Sequence, residues 1–302
     1  MHSSLSDAEA AACPAALRVL NGYLAGEISG EIALMHLLLA ERSLPKLIEC
    51  LQRLCTTGRE PLLRLAQLAA AHGESLERAA RLVTAGLTEA DGDDRLAATR
   101  EQYDRAVATA PEAAVALYSL GDPVILERAT TELATLLDGW GLLGADREAL
   151  DIGCGIGRIE RAIAPQLRHI LGIDLSPGMI EEARRRCRGI ANVRFAVCDG
   201  RDLAPFPTAG FDLILAVDSF PCMVAIGGDI AERHIIDAAR LLRPGGSLAI
   251  FNYSYRCDLA ADRADIAAGA AATGLRVVRN GTRDLALWDG TSFLLKAPPR
   301  RG

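Results

Sequence analysis

The sequence predicts an α/β protein with a doubly wound parallel sheet, which is entered through an all-helical N-terminal region. In residues 1–94 the apolar positions recur only at helical spacing. From residue 148 onward, short β-rich runs alternate with helical stretches, and a glycine-rich loop follows the first of these runs. Alternation of this kind is typical of βαβ units, whose strands lie parallel with helices on both faces of the sheet.

The composition of the 302-residue chain limits its class and its partners. With 50% hydrophobic and 24% charged residues, it is neither a disordered nor a collagen-like protein. The net charge of −6 argues against sequence-independent binding to nucleic acid or anionic lipid. The longest apolar run, 32–40, is far shorter than the roughly 20 residues of a bilayer span. Because the first residues also lack the pattern of a secretory signal, we expect a cytoplasmic protein with no membrane and no nucleic-acid partner.

The cysteine and histidine positions predict neither a disulfide framework nor a metal site. The eight cysteines contain no C-x-x-C pair, and the five histidines show no H-E-x-x-H spacing. Because no sign of export accompanies them, we expect free thiols that act as small hydrophobic side chains, and no bound metal.

Helical signals fill the first third of the chain. Apolar residues recur at i, i+3 and i+4 within 32–39 and 76–83, and glycine, proline and serine clusters divide the region into four or five helices. The acidic segment 89–94 is the strongest linker candidate. We therefore predict a helical domain over 1–94 that acts as a cap, a dimerisation contact or both. Two further helices, within 95–140, are assigned as a lid to a second domain over 95–302, and they are predicted at 95–120 and 124–140.

Strands and helices alternate through the second domain. The β-rich runs predict seven strands, at 149–152, 169–173, 193–197, 211–217, 247–252, 275–279 and 291–295. Helical patterns between them lie at 156–167, 177–188, 230–242 and 259–272. Because no helix lies between the last two strands, the final strand is predicted to run antiparallel.

The most specific signal is the loop 151–157, Asp-Ile-Gly-Cys-Gly-Ile-Gly, between the first strand and the first helix of this domain. Glycines at such a place allow a tight turn and bring bare backbone close to a ligand. The dinucleotide-binding pattern G-x-G-x-x-G fails, because its third glycine would fall on Arg158. Asp151 places a carboxylate where a pyrophosphate would lie, and this favours a ligand with positive charge.

Acidic residues follow the next two strands. Asp174 lies 21 residues after Gly153, near the spacing at which a carboxylate accepts hydrogen bonds from both hydroxyls of a ribose. Asp199, followed by Gly200, ends the third strand in a position to bond an adenine amino group. A Leu-Arg-Pro-Gly-Gly turn at 242–246 then introduces the fifth strand.

Together, the glycine loop, the two aspartates and the Leu-Arg-Pro-Gly-Gly turn resemble the motifs of class I S-adenosylmethionine-dependent methyltransferases, over about residues 103–296. The resemblance implies a Rossmann-like sheet of seven strands in the order 3-2-1-4-5-7-6, with strand 7 antiparallel, and S-adenosylmethionine as cofactor. It implies that the loop flanks the methionine moiety, that Asp174 holds the ribose and that Asp199 meets adenine N6. Leu175 and Met179 would pack on the adenine ring, with ordinary helix packing as the alternative for Met179. The implied cofactor-binding residues are Asp151, Gly153, Cys154, Gly155, Gly157, Asp174, Leu175, Met179, Asp199, Gly200 and Asp218.

The catalytic candidates lie on the acceptor side. Asp218 follows the fourth strand in a sequence that departs from the Asn/Asp-Pro-Pro-Tyr/Phe signature, which disfavours planar amide and nucleobase nitrogens as acceptors. It would orient the cofactor ammonium or the acceptor, or else cap its loop. Tyr253 and Arg256 follow the fifth strand, and Arg256 would clamp a carboxylate unless it is solvated. His234 is the candidate base, with a helix-surface position as the alternative. Tyr118, in the lid, would face the sulfonium unless it packs in the core.

Three functional interpretations follow from the resemblance. The first is methyl transfer to a small molecule by in-line displacement at the sulfonium methyl, which needs neither a covalent nucleophile nor a metal. The second is consumption of S-adenosylmethionine without methylation, such as an intramolecular cyclisation to azetidine-2-carboxylate and methylthioadenosine. The third is a non-catalytic cofactor-binding or scaffold protein whose N-terminal helices form a homodimer. Arg158, at the place of the third glycine, and the Pro-Gly-Gly turn at 244–246 argue against a nicotinamide oxidoreductase.

Overall fold

The computed structural model describes residues 17–85 and 95–299, so the predicted linker at 89–94 lies outside the described residues. Five helices occupy 17–85, as the helical pattern predicts. Their bounds are Leu17–Leu24 (α1), Gly30–Glu41 (α2), Leu44–Cys55 (α3), Glu60–Ala71 (α4) and Gly73–Ala85 (α5). The Ser29 hydroxyl caps α2 by accepting a hydrogen bond from Ile32 N, and Pro45 and Pro61 stand in the first turns of α3 and α4.

The prediction of a single helix at 95–120 is wrong, because the helix is interrupted before Pro111. The segment instead forms α6 (Arg95–Thr109), α7 (Pro111–Val115) and a 3-10 turn (Leu117–Ser119). Proline lacks an amide hydrogen and disfavours helical backbone in the residue before it, so α6 has to end there. The next helix, α8 (Pro123–Gly139), has nearly the predicted bounds, and the Asp122 carboxylate accepts hydrogen bonds from two amides of its first turn.

The second half shows the predicted alternation. Its strands are β1 (Gly144–Ile152), β2 (Leu167–Asp174), β3 (Val193–Val197), β4 (Phe211–Val217), β5 (Leu242–Phe251), β6 (Arg276–Thr282) and β7 (Ser292–Lys296). Its helices are α9 (Arg158–Ile163), α10 (Pro177–Arg186), α11 (Phe220–Ile226), α12 (Ile230–Leu241) and α13 (Leu259–Thr273), with a 3-10 turn at Ala164–Gln166. Helix α11 is not among the predicted helices, because it is short and Pro221 in its first turn gives the sequence the character of a loop.

The seven strands form one sheet in the order β3-β2-β1-β4-β5-β7-β6, which confirms the predicted fold. Strands β1 to β5 pair in parallel, and β7 runs antiparallel to β5 and β6. The central strands are buried on both faces, as their nearly continuous apolar sequences require; for example, Leu150, Ile214 and Leu248 are fully buried. The carboxyl ends of the parallel strands therefore meet at one edge, where the glycine loop lies.

The expectation of free thiols throughout is wrong at one position. Six cysteines of the described chain are free, namely Cys55, Cys154, Cys187, Cys198, Cys222 and Cys257. Cys50, at the buried face of α3, is disulfide-bonded. Linear spacing did not reveal this bond, because a disulfide depends on the distance between two Cα atoms in the folded chain.

The described residues divide into two compact units. The helical unit contains the described residues up to 85 together with Ala106–Ala129 and Leu285–Asp289, and the α/β unit contains the described part of Ala90–Arg105 together with Thr130–Asp284 and the residues from Gly290 onward. Part of the predicted lid, 95–140, thus packs with the N-terminal helices. No helix of the described ranges is both long enough and apolar enough to cross a bilayer.

Candidate functional site

The glycine loop joins β1 to α9 at the carboxyl edge of the sheet. Gly153, Gly155 and Gly157 have φ values of +76°, +53° and +74°. The amides of Gly153 and Cys154 both donate to the carbonyl oxygen of Ile173, at 2.8 and 3.0 Å, and so tie the loop to the end of β2. Because other residues rarely adopt positive φ, this turn requires glycine at its three positions.

Two of these glycines also permit close packing. A Cβ on Gly153 would overlap the side chain of Ser219, which follows β4. A Cβ on Gly157 would lie 2.9 Å from Phe195 Cζ and 3.1 Å from Ala183 Cβ. The loop backbone therefore lies directly against β3, α10 and the end of β4.

Asp174 ends β2, and backbone amides hold its carboxylate in place. Gly155 N donates to Oδ2 and Ser176 N donates to Oδ1, both at 2.9 Å. Burial raises the pKa of Asp174 to about 6, while these hydrogen bonds act to lower it. A carboxylate has about four acceptor positions, so these amides leave Asp174 able to accept from a ligand as well.

Helix α6 lies across the ends of two strands. The Asp104 carboxylate accepts hydrogen bonds from Ser176 Oγ at 2.5 Å and from Gly178 N at 2.9 Å, at the start of α10. The Tyr103 hydroxyl lies 2.8 Å from Cys222 Sγ in α11. The N-terminal part of the predicted lid therefore forms hydrogen bonds to two segments. One follows β2 and Asp174, and the other follows β4.

Asp218, Asn252 and Tyr255 form a polar group, here called the Asp218 cluster, where β4 and β5 end. Asp218 and Asn252 have φ values of +60° and +65°, a conformation that aspartate and asparagine tolerate better than other non-glycine residues. Asn252 Nδ2 donates to Asp218 Oδ1 at 2.8 Å, and the Tyr255 hydroxyl donates to Oδ2 at 2.7 Å. Strained backbone that surrounding bonds hold in place is common at functional sites.

The hydroxyls and the thiol near this cluster are hydrogen-bond donors at neutral pH. The neighbouring Cys222 and burial hold the pKa of Tyr103 well above its usual value, and burial and Asp218 do the same for Tyr255. Burial raises the pKa of Cys222 to about 11. Tyr255 as a residue is 64% exposed, so the burial that raises its pKa is that of the hydroxyl end, which is bonded to Asp218. None of these three groups is therefore a proton acceptor at neutral pH.

Part of this chain is similar in sequence to known proteins. A family model described as a methyltransferase domain matches residues 149–246, from within β1 into β5. Over 111 residues the chain is 39% identical to the demethylmenaquinone methyltransferase of Tropheryma whipplei (strain Twist), which covers 37% of this chain and 44% of that protein. Over 135 residues it is 38% identical to the 27-O-demethylrifamycin SV methyltransferase of Amycolatopsis mediterranei (strain S699), with 42% and 46% covered. The α/β unit carries a class I S-adenosylmethionine-dependent methyltransferase domain, which the family model matches over residues 149–246.

The methyltransferase domain also resembles solved structures. Magnesium protoporphyrin IX methyltransferase from Synechocystis PCC 6803 superposes with a TM-score of 0.51 at 18% identity, over 69% of this chain and 99% of that one. At this identity the likeness shows the fold alone. This chain spans less than half the length of the two relatives named above.

The predicted adenine-side residues of the methyltransferase domain lie at the ends of β2 and β3. Asp199 is exposed, and its Oδ1 accepts a hydrogen bond from Arg201 N at 2.9 Å. Leu175 is half-buried beside Gly200, where a Cβ would lie 3.3 Å from Leu175 Cδ1. Met179 is only 2% exposed in α10, which favours the helix-packing alternative for this residue.

Two predicted catalytic residues of the methyltransferase domain are packed in its interior. The Tyr253 ring lies 5.6 Å from the Phe220 ring and 6.1 Å from the Phe293 ring, and burial raises its pKa to about 12. His234 is 2% exposed, so the predicted alternative of a helix-surface histidine is wrong. Its Nδ1 lies 2.8 Å from the Ile230 carbonyl oxygen, and burial lowers its pKa. These surroundings argue against a base role for His234.

Arg256 is bound by two carboxylates of the methyltransferase domain. Its Nε donates to Asp262 Oδ1 at 2.7 Å and its Nη2 to Asp265 Oδ2 at 2.6 Å. Its guanidinium carbon lies 5.7 Å from the centre of the Tyr253 ring. Because two carboxylates already neutralise it, Arg256 is not poised to clamp a substrate carboxylate, contrary to the expectation from the sequence.

Tyr118 lies in the helical unit and outside the methyltransferase domain. It is 3% exposed, and its ring stacks on Trp288 with a centroid distance of 5.4 Å and an angle of 19°. The alternative of a core tyrosine therefore describes its surroundings.

Several residues of the site did not stand out in the sequence. Asn252 and Tyr255 lie in the loop after the fifth strand, but no pattern connects them with Asp218. Asp104 lies within a predicted helix and belongs to no motif. These residues could be identified only from which strands lie side by side in the sheet, and that order is known only from the fold.

Proposed function

We propose that this chain transfers a methyl group from S-adenosylmethionine to a small-molecule acceptor. The observation that carries the proposal is the position of Asp174 and the glycine loop together at the carboxyl edge of the sheet. The two relatives described above are named as methyltransferases of small molecules, which supports the same class of acceptor here. When bound, S-adenosylmethionine supplies a methyl group that its sulfonium has already activated, so the residues have only to bind, orient and exclude water.

The described residues fit this cofactor. Backbone amides orient the Asp174 carboxylate, which can also accept from ribose hydroxyls. The bare backbone of the glycine loop allows a ligand to approach closely at the end of β1. Asp104 and Asp174 place two carboxylates at this edge, which favours a ligand with a positive charge.

On the acceptor side, we propose that Asp218 accepts the hydrogen bond, and finally the proton, of a hydroxyl or amine acceptor. Such an acceptor loses a proton as the new bond to the methyl carbon forms. Asn252 and Tyr255 each donate a hydrogen bond to one oxygen of the Asp218 carboxylate. These two hydrogen bonds fix the orientation of the carboxylate at the ends of β4 and β5.

The nucleoside product tests the proposed reaction. Incubation of the full chain with methyl-labelled S-adenosylmethionine and a metabolite extract is expected to yield S-adenosylhomocysteine and one labelled small molecule, detected by liquid chromatography with mass spectrometry. Methylthioadenosine without labelled product would instead support intramolecular cyclisation. Cofactor that binds and remains intact would support a non-catalytic protein.

Asp218→Asn is expected to lower turnover about 100-fold or more while cofactor affinity stays within about threefold, because the amide keeps the shape but is not a base. Initial rates with the labelled product give kcat, and calorimetry gives the affinity. Asp258→Asn is the matched control, since Asp258 caps α13 by accepting from Ala261 N and asparagine caps equally well. Unchanged turnover in Asp218→Asn would exclude Asp218 as the base.

For the N-terminal helices we propose a role as a cap or as a homodimer contact, because amphipathic helices have to bury their apolar faces. Leu39 in α2 is 40% exposed, which leaves apolar surface on this unit. Sedimentation of the full chain distinguishes a dimer from a monomer.

We also propose that the protein is located in the cytoplasm.

A further inference from the structure

A pair of buried carboxyl groups flanks the glycine loop. Asp151 is 1% exposed at the end of β1, and Glu160 is fully buried in α9. The two groups lie within hydrogen-bonding reach of each other. None of their four oxygens accepts a hydrogen bond of normal geometry from the rest of the described chain. Because two buried charges of the same sign without donors are very costly, the pair shares a proton.

The packing of the sheet makes room for this pair. Gly172 on β2 is the register partner of Asp151 on β1. A Cβ at Gly172 would overlap Glu160 Oε1 and would lie 2.8 Å from Phe195 Cδ1. The missing side chain therefore lets α9 place the Glu160 carboxyl beside Asp151.

The neighbouring charges decide which carboxyl holds the proton. After burial, the main influence on the pKa of Asp151 is Arg158, which favours its charge, and the main influence on the pKa of Glu160 is Asp151, which opposes its charge. Asp174 on β2 also opposes the charge on Asp151. With burial as the largest cause, the pKa of Asp151 is raised to about 7 and that of Glu160 is raised well above its usual value. At neutral pH, Glu160 is therefore protonated and donates to Asp151.

Two thiols complete the surroundings of Glu160. Cys154 lies in the glycine loop and Cys187 follows α10, and burial raises the pKa of both, that of Cys187 to about 11. They are neutral at physiological pH. The groups near the loop that titrate close to neutrality are thus Asp151 and Asp174, with pKa values of about 7 and 6.

We infer, on the basis of the proposed function, that Glu160 is a positioning residue that retains the proton of the pair. Asp151 is then the carboxyl group whose ionisation changes when a ligand binds. S-adenosylmethionine carries a sulfonium charge that S-adenosylhomocysteine lacks. Binding of the cation favours ionised Asp151, so a proton leaves to solvent, and a proton returns after methyl transfer has removed the positive charge. The pair thereby selects cofactor over product, and Glu160 sets the pH at which it does so.

Calorimetry of the full chain with S-adenosylmethionine and S-adenosylhomocysteine, between pH 6 and pH 9, tests the inference. Asp151 ionises as the pH rises through about 7, so the ratio of cofactor to product affinity is expected to rise about tenfold between pH 6 and pH 8. Buffers of different ionisation enthalpy should reveal about half a proton released per cofactor bound at pH 6.5. The ratio isolates Asp151, because Asp174 is expected to face the ribose that both ligands share.

Variants separate positioning from simple packing. Glu160→Ala removes the donor to Asp151, so its affinity ratio should fall about tenfold at pH 7 and recover at pH 9. Glu160→Gln keeps an amide donor and should behave as wild type, and Asp151→Asn should make the ratio independent of pH. Glu181→Ala, at an exposed position of α10, is the matched control.

Three results would overturn the inference: a wild-type ratio that does not change with pH, a Glu160→Gln protein that behaves like Glu160→Ala, or a Glu160→Ala deficit that persists at pH 9. If Glu160→Ala does not fold, the wild-type ratio and the other two variants still decide the matter. Failure of wild type to bind either ligand would refute the proposed function itself.

Discussion

Asp174→Ala is expected to weaken binding of S-adenosylmethionine by about 100-fold or more. Two ribose hydroxyls would lose a charged acceptor, and charge-assisted hydrogen bonds contribute ~1.5–3 kcal/mol each. The same substitution removes the acceptor of Gly155 N and Ser176 N, and this loosens the loop that the ligand has to contact. Titration calorimetry of the purified variant measures the loss directly.

Two further variants show whether the loss at Asp174 is specific. Asp174→Asn keeps one carbonyl oxygen and should lose about tenfold, less than alanine, because a neutral acceptor forms weaker bonds. Asp258→Ala removes a helix-capping carboxylate and should leave the affinity unchanged. Wild-type affinity in Asp174→Ala would remove this residue from the cofactor site, whereas loss of the thermal unfolding transition would indicate a structural role.

Gly153→Ala is expected to lower the free energy of unfolding by about 3 kcal/mol and to abolish cofactor binding. The positive φ of +76° would contribute about 1–2 kcal/mol of strain, and the overlap of the new Cβ with Ser219 adds a packing cost of similar size. Urea unfolding followed by circular dichroism measures the first effect, and calorimetry measures the second.

The strain and the overlap at Gly153 can be separated experimentally. Gly189 also has a positive φ, +90°, but a Cβ there meets no atom within 4 Å, so Gly189→Ala should cost only the strain of about 1–2 kcal/mol. Addition of Ser219→Gly to Gly153→Ala should restore about half of the lost stability, because it removes the overlapping Cβ. Equal losses in Gly153→Ala and Gly189→Ala would show that the close approach to Ser219 contributes nothing.

Much of the methyltransferase fold could be predicted because its signals are local. The bounds predicted for the third and fourth strands, 193–197 and 211–217, are those observed for β3 and β4. Runs of apolar, β-rich residues between turn signals carry that information without help from distant residues. The prediction of one helix at 95–120 was wrong because Pro111, which is also a local signal, ends helix α6.

The site could be predicted where a residue occupies the end of a strand. The sequence predicts that Asp174 and Asp218 lie at strand ends, and the structure has Asp174 at the end of β2 and Asp218 directly after β4. His234 and Tyr118 were chosen by residue type, and both are buried in packed surroundings. The partners that hold the carboxylates were missed, since the hydrogen bond between Ser176 and Asp104 joins residues 72 positions apart.

The sequence by itself determined the class of the protein, and its motifs indicated S-adenosylmethionine as the cofactor. A single turn requires the positive φ of the three glycines and the acidic residue at a strand end. Such features depend on neighbouring residues, so the sequence alone reveals them. Only the tertiary structure decided that Asn252 and Tyr255 hold Asp218, and that Gly172 makes room for Glu160 beside Asp151. These arrangements depend on strand register and on the burial of charge, and both arise only when residues far apart in the chain are packed together.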